Sequence, residues 1–135
     1  MFLISKEEVL AVIKRINNYL NECLWMDFEF CMINDFNVVM VGKISQSYNQ
    51  SEIEIHFEQP HFVSSLFEWT SDASKPFIQL CTEEEGAELN TKYKVVYGNY
   101  HFKISAEDFE TPPIIVIAKK ITCVILNDNP FPARK

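Results

Sequence analysis

Glycine is scarce in this sequence, and its scarcity argues against several classes of enzyme. Only three residues of 135 are glycine, namely Gly42, Gly86 and Gly98, and they lie far apart. Phosphate-binding loops need clustered glycines because their backbone N–H groups must approach the ligand closely. The chain also has no G-x-S-x-G, P-loop or H-E-x-x-H pattern. We therefore predict no cofactor and no motif-defined catalytic site, which leaves open only an enzyme without a short signature.

Positive charge is also in short supply. Lys and Arg number 12 against 19 Asp and Glu, so the formal net charge is −7. A protein of this sign is repelled by nucleic acid backbones and by anionic membrane surfaces. We therefore expect neither nucleic acid nor membrane as a partner. The same charge permits a basic protein partner, although it also serves solubility alone.

Long apolar runs and paired cysteines are both missing. The start, MFLISKEEVL, lacks a basic segment and its apolar run stops at Ser5, which is atypical of a secretory signal. No stretch approaches the roughly 18 apolar residues of a membrane span. The cysteines are widely spaced in apolar surroundings: Cys23, Cys31, Cys81 and Cys123. They are predicted to be reduced, mostly buried thiols of a cytoplasmic protein, with two disulfides as the alternative.

What is present favours one packed domain over residues 1–135. Apolar residues make up 47% of the chain and aromatic residues 13%, which excludes disorder. Ser5 and Glu8 form an S-x-x-E capping box, and apolar residues then recur at helical spacing. This pattern predicts an amphipathic helix from about 5 to 23, packed on a sheet.

From Asp27 onward the apolar period falls to two, which predicts strands. Residues 61–69 fit either a helix or a strand, and we favour a strand. Residues 82–90, acidic and containing Gly86, are predicted to form a loop with at most one helical turn, and the tail is predicted to fray from about 127.

The fold class is thus α+β, with a mostly antiparallel sheet of about six to eight strands. The strands are predicted near 28–33, 38–45, 53–58, 77–81, 114–117 and 121–126.

The segment YKVVYGNYHFKI, residues 93–104, alternates on both sides of Gly98-Asn99 and predicts a β-hairpin. Its apolar side chains would share one face, which we expect to be covered by the N-terminal helix. As the alternative, part of this face lines a pocket. The candidate pocket residues are Tyr93, Tyr97, Tyr100 and Phe102.

Acidic side chains supply the candidate partner-binding residues. They fall in two groups: Glu52, Glu54 and Glu58, and then Glu83, Glu84, Glu85 and Glu88. A third acidic run covers 107–110, while Glu29 and Glu68, flanked by aromatics, are interpreted as surface glutamates. His56 shares a predicted strand face with Glu54 and Glu58. No metal site is predicted, because alternate strand residues lie about 6.5 Å apart and converge poorly on one ion.

These features predict a non-enzymatic interaction domain that binds a basic protein through its acidic surface. In size, charge and lack of catalytic motifs the chain is similar in general profile to bacterial immunity proteins, although no residue motif matches a particular immunity family. The alternatives are a small-molecule carrier or sensor using the hairpin aromatics, and an enzyme without a short signature. An exposed edge strand would also permit a homodimer.

Overall fold

The computed structural model describes residues 5–23, 25–44, 51–96 and 98–128. The predicted α+β class is confirmed, with a sheet of seven strands and a second helix that was not predicted. In chain order the elements are α1 (Lys6–Asn21), β1 (Asp27–Ile33), β2 (Asn37–Lys43), β3 (Ile53–Ser64), β4 (Glu68–Thr70), β5 (Ile78–Leu80), α2 (Glu83–Tyr93), β6 (Tyr100–Ile104) and β7 (Ile114–Ile125).

The sheet is antiparallel throughout and curls into a half-barrel. Its strand order is β4-β1-β2-β3-β7-β6-β5, so β4 and β5 lie at the two edges. The central pair is formed by β3 and β7, each 12 residues long. Their pairing is irregular between Pro60 and Phe62, and such irregularities bend a strand and increase its local twist.

Helix α1 forms as predicted. The Ser5 Oγ accepts a hydrogen bond from the Glu8 N–H at 3.2 Å, and Glu8 Oε1 accepts one from the Ser5 N–H at 3.3 Å. The helix packs against β7 and β5. Its stripe of Val9, Ile13 and Ile16 is buried in the core. The same core holds the largest fully buried side chains, which come from five strands and include Phe28, Met40, Ile55, Phe57, Phe102 and Ile114.

Strands β3 and β7 are longer than predicted. The two strands expected at 114–117 and 121–126 are one continuous strand, because Lys119 and Lys120 lie within it instead of interrupting it. β3 likewise continues past Pro60, where the register shifts by one residue before Phe62 and Gln59 has a left-handed φ of 51°. Proline lacks an N–H, so it is tolerated in a strand at such an irregularity. The strand favoured for 61–69 is therefore confirmed in part, ending at Ser64 and resuming as β4.

The loop predicted for 82–90 is wrong, since this segment belongs to α2. Thr82 and Glu85 form a second capping box: Thr82 Oγ1 accepts from the Glu85 N–H at 3.1 Å, and Glu85 Oε1 accepts from the Thr82 N–H at 2.8 Å. Three glutamates in the first turn also suit the positive end of the helix dipole. The helix ends at Lys94, whose φ of 54° is left-handed.

The hairpin predicted over 93–104 is also wrong. Tyr93 is the last residue of α2, and its ring stacks on Phe62 with 4.0 Å between centroids. β6 pairs instead with β7 and β5. The predicted position of Tyr97 and most of the predicted frayed tail, residues 129–135, lie outside the described residues. At the start of that tail, the Asn127 carbonyl accepts a hydrogen bond from the Tyr19 hydroxyl of α1 at 2.6 Å. This bond fixes Asn127 against the helix.

Candidate functional site: an acidic row beside an open sheet edge

The two helices lie on opposite faces of the sheet. In β6, Phe102 and Ile104 point into the core that α1 covers, while His101 and Lys103 alternate to the other face and meet α2. Lys103 Nζ lies 2.9 Å from Glu85 Oε1, and His101 Nε2 lies 2.6 Å from Asn90 Oδ1. We call the α2 side the outer face.

The strand register sets acidic side chains in line across the other half of the outer face. Glu68 of β4 lies opposite Glu29 of β1, Glu29 opposite Val41 of β2, and Val41 opposite Glu54 of β3. Because neighbouring strands lie about 4.8 Å apart, Glu29 and Glu54 are separated by roughly 10 Å. We call Glu29, Glu54 and Glu68 the acidic row. All three are at least partly exposed, whereas Val41 between them is buried.

Two predicted residues accompany this row and one does not. Glu54 Oε1 lies 3.0 Å from His56 Nε2, and Glu58 lies 3.7 Å from Lys120 Nζ, on the same side of β3. Glu52, in contrast, is only 7% exposed. Its carbonyl accepts from the Leu126 N–H at 2.8 Å, so it is placed against the end of β7. Glu52 therefore lies apart from the acidic row.

The acidic side chains of α2 differ in their exposure to solvent. Glu83, Glu84 and Glu88 are exposed, while Glu85 turns toward β6. The pKa of Glu85 is lowered from its ordinary value, first by the Thr82 N–H and then by the Lys103 ammonium. The third acidic run, 107–110, is exposed between β6 and β7.

The structure does not gather the candidate pocket aromatics at one site. Phe102 is fully buried and meets Phe57 edge-on at 5.2 Å, whereas Tyr93 lies on the outer face over Phe62. Tyr100 is half-buried and lines a cavity of about 570 Å³ beneath α2. Tyr97 lies outside the described residues.

The cavity beneath α2 has a mixed polar and apolar lining that includes Cys81, Asn90 and His101. Gly86 allows the close approach of helix and sheet here, since a Cβ at this position would lie 3.2 Å from His101 Nδ1. Burial lowers the pKa of His101, so the neutral ring is favoured. Burial, followed by the Glu85 charge, raises the pKa of the Cys81 thiol to about 11. Burial therefore favours the uncharged form of both side chains.

A second cavity, of about 520 Å³, lies beside the acidic row. It is an apolar groove whose lining includes Phe30, Ile33, Val63 and Phe67, with Glu29 at its side. Ile33 is 64% exposed and Phe67 is 95% exposed. No pattern in the sequence singles out this groove, because it joins side chains from separate strands and from the connection before β4.

The cysteines are only partly as predicted. All four are free, but Cys23 alone is buried and Cys31 is exposed near the groove. Within the described ranges, no cluster of three His, Cys, Asp or Glu side chains is suited to a metal ion. Neither described helix has the length and apolarity required to cross a bilayer.

Comparison with known protein families, curated protein sequences and solved structures gave no match to this chain.

Proposed function

We propose that this chain is a non-enzymatic interaction domain that binds a basic protein through the acidic row. The observation that carries the proposal is the strand register, which places Glu68 and Glu29 directly opposite each other and Glu54 two strands away. Like charges directly opposite on a sheet are unfavourable for folding. Lys or Arg side chains of a partner would offset the repulsion between two such carboxylates.

The surroundings of the row also suit a protein partner. Met32 and Val124 are 48% and 44% exposed, and Val124 lies opposite Glu54. Protein interfaces combine such apolar contacts with a charged periphery. The net charge of −7 would in addition steer a cationic partner toward the surface and raise its association rate.

The immunity-like profile suggests what such a partner does. In this extension of the proposal, the chain neutralises a basic toxin by covering the surface that the toxin needs for its action. A gene for a large secreted multidomain protein beside the gene for this chain would favour this reading, whereas a metabolic operon would favour ligand binding.

The experiment starts with capture of partners from the native host and continues with binding kinetics of the purified pair. The variant Glu29→Gln/Glu54→Gln removes two charges from the row, and Glu83→Gln/Glu84→Gln removes two exposed charges from α2 as a matched control. We expect the first to slow association at least tenfold at low salt and to weaken its salt dependence, with little change in the second. Equal effects of the two variants, or no partner with a salt-sensitive association rate, would refute the proposal.

A second candidate function, small-molecule binding, is favoured by the cavity beneath α2. Its volume of about 570 Å³ is in the range of ligand sites, and Tyr100, Asn90 and His101 offer polar contacts. Native mass spectrometry of the protein purified from its host would detect a retained ligand. The variant Ala87→Trp, which places a large ring at the cavity lining, should abolish that retention. Without a retained mass in the wild type, this candidate fails.

A further inference from the structure

The edge of the sheet beside the groove is only partly paired. β1 pairs with β2 as far as Ile33, but its pairing with β4 ends at Glu29. Among the described residues, no strand lies beside β1 from Phe30 to Ile33 on that side. We call this segment the open edge. Unpaired strand edges present N–H and C=O groups to an incoming chain, and natural proteins usually protect them.

Apolar side chains border the open edge. Phe30 and Ile33 belong to the edge itself, and Val63 and Phe67 line the same groove from β3 and from the connection before β4. A phenylalanine that is 95% exposed beside an isoleucine that is 64% exposed makes little contribution to the core. Contiguous exposed apolar surface of this kind marks interaction sites.

The charge around the groove limits what can bind there. Glu29 lines the groove, and Glu68 lies opposite Glu29 and next to Phe67. A second copy of the chain would bring the same acids and a further net charge of −7 to the contact. Lys or Arg side chains on a partner would instead pair with these carboxylates.

We propose that the open edge and its groove bind an extended segment of a basic protein by β-strand addition. Alternate apolar side chains of the segment occupy the groove near Phe30, Ile33 and Phe67, and its Lys or Arg side chains lie beside Glu29 and Glu68. In strand addition the backbone pairing supplies affinity and the side-chain pockets supply specificity. This inference rests on the proposed function and specifies the part of the partner that is recognised.

The irregularity of β1 makes the sequence of the segment matter. The register of β1 against β2 shifts between Phe30 and Met32, which leaves Cys31 as the extra residue of a bulge. Bulges at sheet edges discourage indiscriminate pairing. Backbone pairing alone is therefore weak here, and the groove contacts must supply much of the binding free energy.

Fluorescent peptides provide a defined probe for the full chain. The first is a seven-residue peptide with the sequence KVKFKIK, and the second, KSKSKSK, has the same charge without apolar side chains. Fluorescence anisotropy should show at least tenfold tighter binding of the first peptide. Phe67→Ser should remove that advantage, while Phe36→Ser, which changes another ring that is 74% exposed, should alter affinity less than twofold.

The outcomes separate this inference from the proposed function. Both peptides could bind with equal affinity, with binding lost in Glu29→Gln/Glu54→Gln but unchanged in Phe67→Ser. This result would overturn strand addition but would still support binding through the acidic row. If neither peptide binds and no partner is found, both strand addition and the proposed function are refuted. Sedimentation of the wild type as a dimer that Phe67→Ser dissociates would assign the open edge to a second copy and overturn the inference.

Discussion

The two edges of the sheet end in different ways. At β5 the side chain of Asn17 from α1 takes the place of a further strand: its Nδ2 donates to the Ile78 carbonyl at 2.9 Å, and its Oδ1 accepts from the Ile78 N–H at 3.0 Å. At the other edge, β4 covers β1 only as far as Glu29, and exposed apolar side chains follow. At Ile78 one edge is capped by a side chain from within the chain, while at the other edge the strand pairing of β1 ends at Glu29.

This difference assigns the two edges different roles. A side-chain amide that satisfies both backbone groups of Ile78 stabilises the fold and blocks intermolecular pairing at β5. At the other edge, Ile33 and Phe67 are exposed to solvent and therefore add little to the stability of the fold. We therefore expect substitutions near β5 and β6 to change stability, and substitutions at the open edge to change binding instead.

The largest effect should come from comparing two phenylalanines. Phe102 is fully buried on β6, whereas Phe67 beside the open edge is 95% exposed. Phe102→Ala should lower the free energy of unfolding by about 4 kcal/mol, because it removes buried surface and leaves a cavity. Phe67→Ala should change it by less than about 0.5 kcal/mol. Urea denaturation measures both, and similar losses in the two variants would show that Phe67 contributes to stability as a core residue does.

The second effect concerns the closed edge directly. Asn17→Ala removes both hydrogen bonds to Ile78 and should lower the free energy of unfolding by about 2 kcal/mol. Asn18→Ala, at an exposed neighbouring position on the same helix, is the control and should have almost no effect. If thermal denaturation gives equal results for the two variants, Asn17 does not complete the edge.

A smaller effect should depend on pH. Glu85 has a pKa below its ordinary value of 4.5 because Thr82 and Lys103 favour the carboxylate. Its contribution is therefore complete above that ordinary value and is lost as the pH falls through the lowered pKa of the folded state. Glu85→Gln should cost about 0.5 kcal/mol at pH 7, as is usual for an ion pair at the protein surface. The difference from wild type should vanish at acidic pH, and a pH-independent difference would exclude this charge effect.

The smallest effect should have the opposite sign. Glu29 lies opposite Glu68 across β1 and β4. Relieving this like-charge contact with Glu29→Gln should raise the free energy of unfolding by about 0.3 kcal/mol at low ionic strength. High salt should screen the contact and remove the gain. A destabilised Glu29→Gln would show that the acidic row does not oppose folding.

Much of the fold was predictable because its signals are local. The Ser5–Glu8 capping box and the helical stripe behind it predicted α1, and alternation predicted β1, β2 and the first half of β3. Helix α2 carries the same kind of capping box at Thr82 and Glu85, but its acidic composition and Gly86 favoured a loop. The Gly86 position reflects the close approach of His101, a tertiary contact that the sequence does not reveal.

The candidate site was predictable only in its charge. Glu54 and Glu58 were identified as acidic candidates. The other members of the acidic row, Glu29 and Glu68, come from strands that are distant from Glu54 in sequence. Which residues lie opposite Glu29 depends on strand order and register, and neither is encoded in a short pattern. The groove depends in addition on the curl of the sheet, which brings Val63 toward Phe30 and Ile33.

The most direct test of the open edge is amide hydrogen exchange of the full chain with and without the KVKFKIK peptide. Strand addition predicts slower exchange at amides within residues 30–33 when the peptide is bound, with the β5 edge at Ile78 unchanged. Protection at α2 or across the outer face, with residues 30–33 exchanging as in the free protein, would contradict the account.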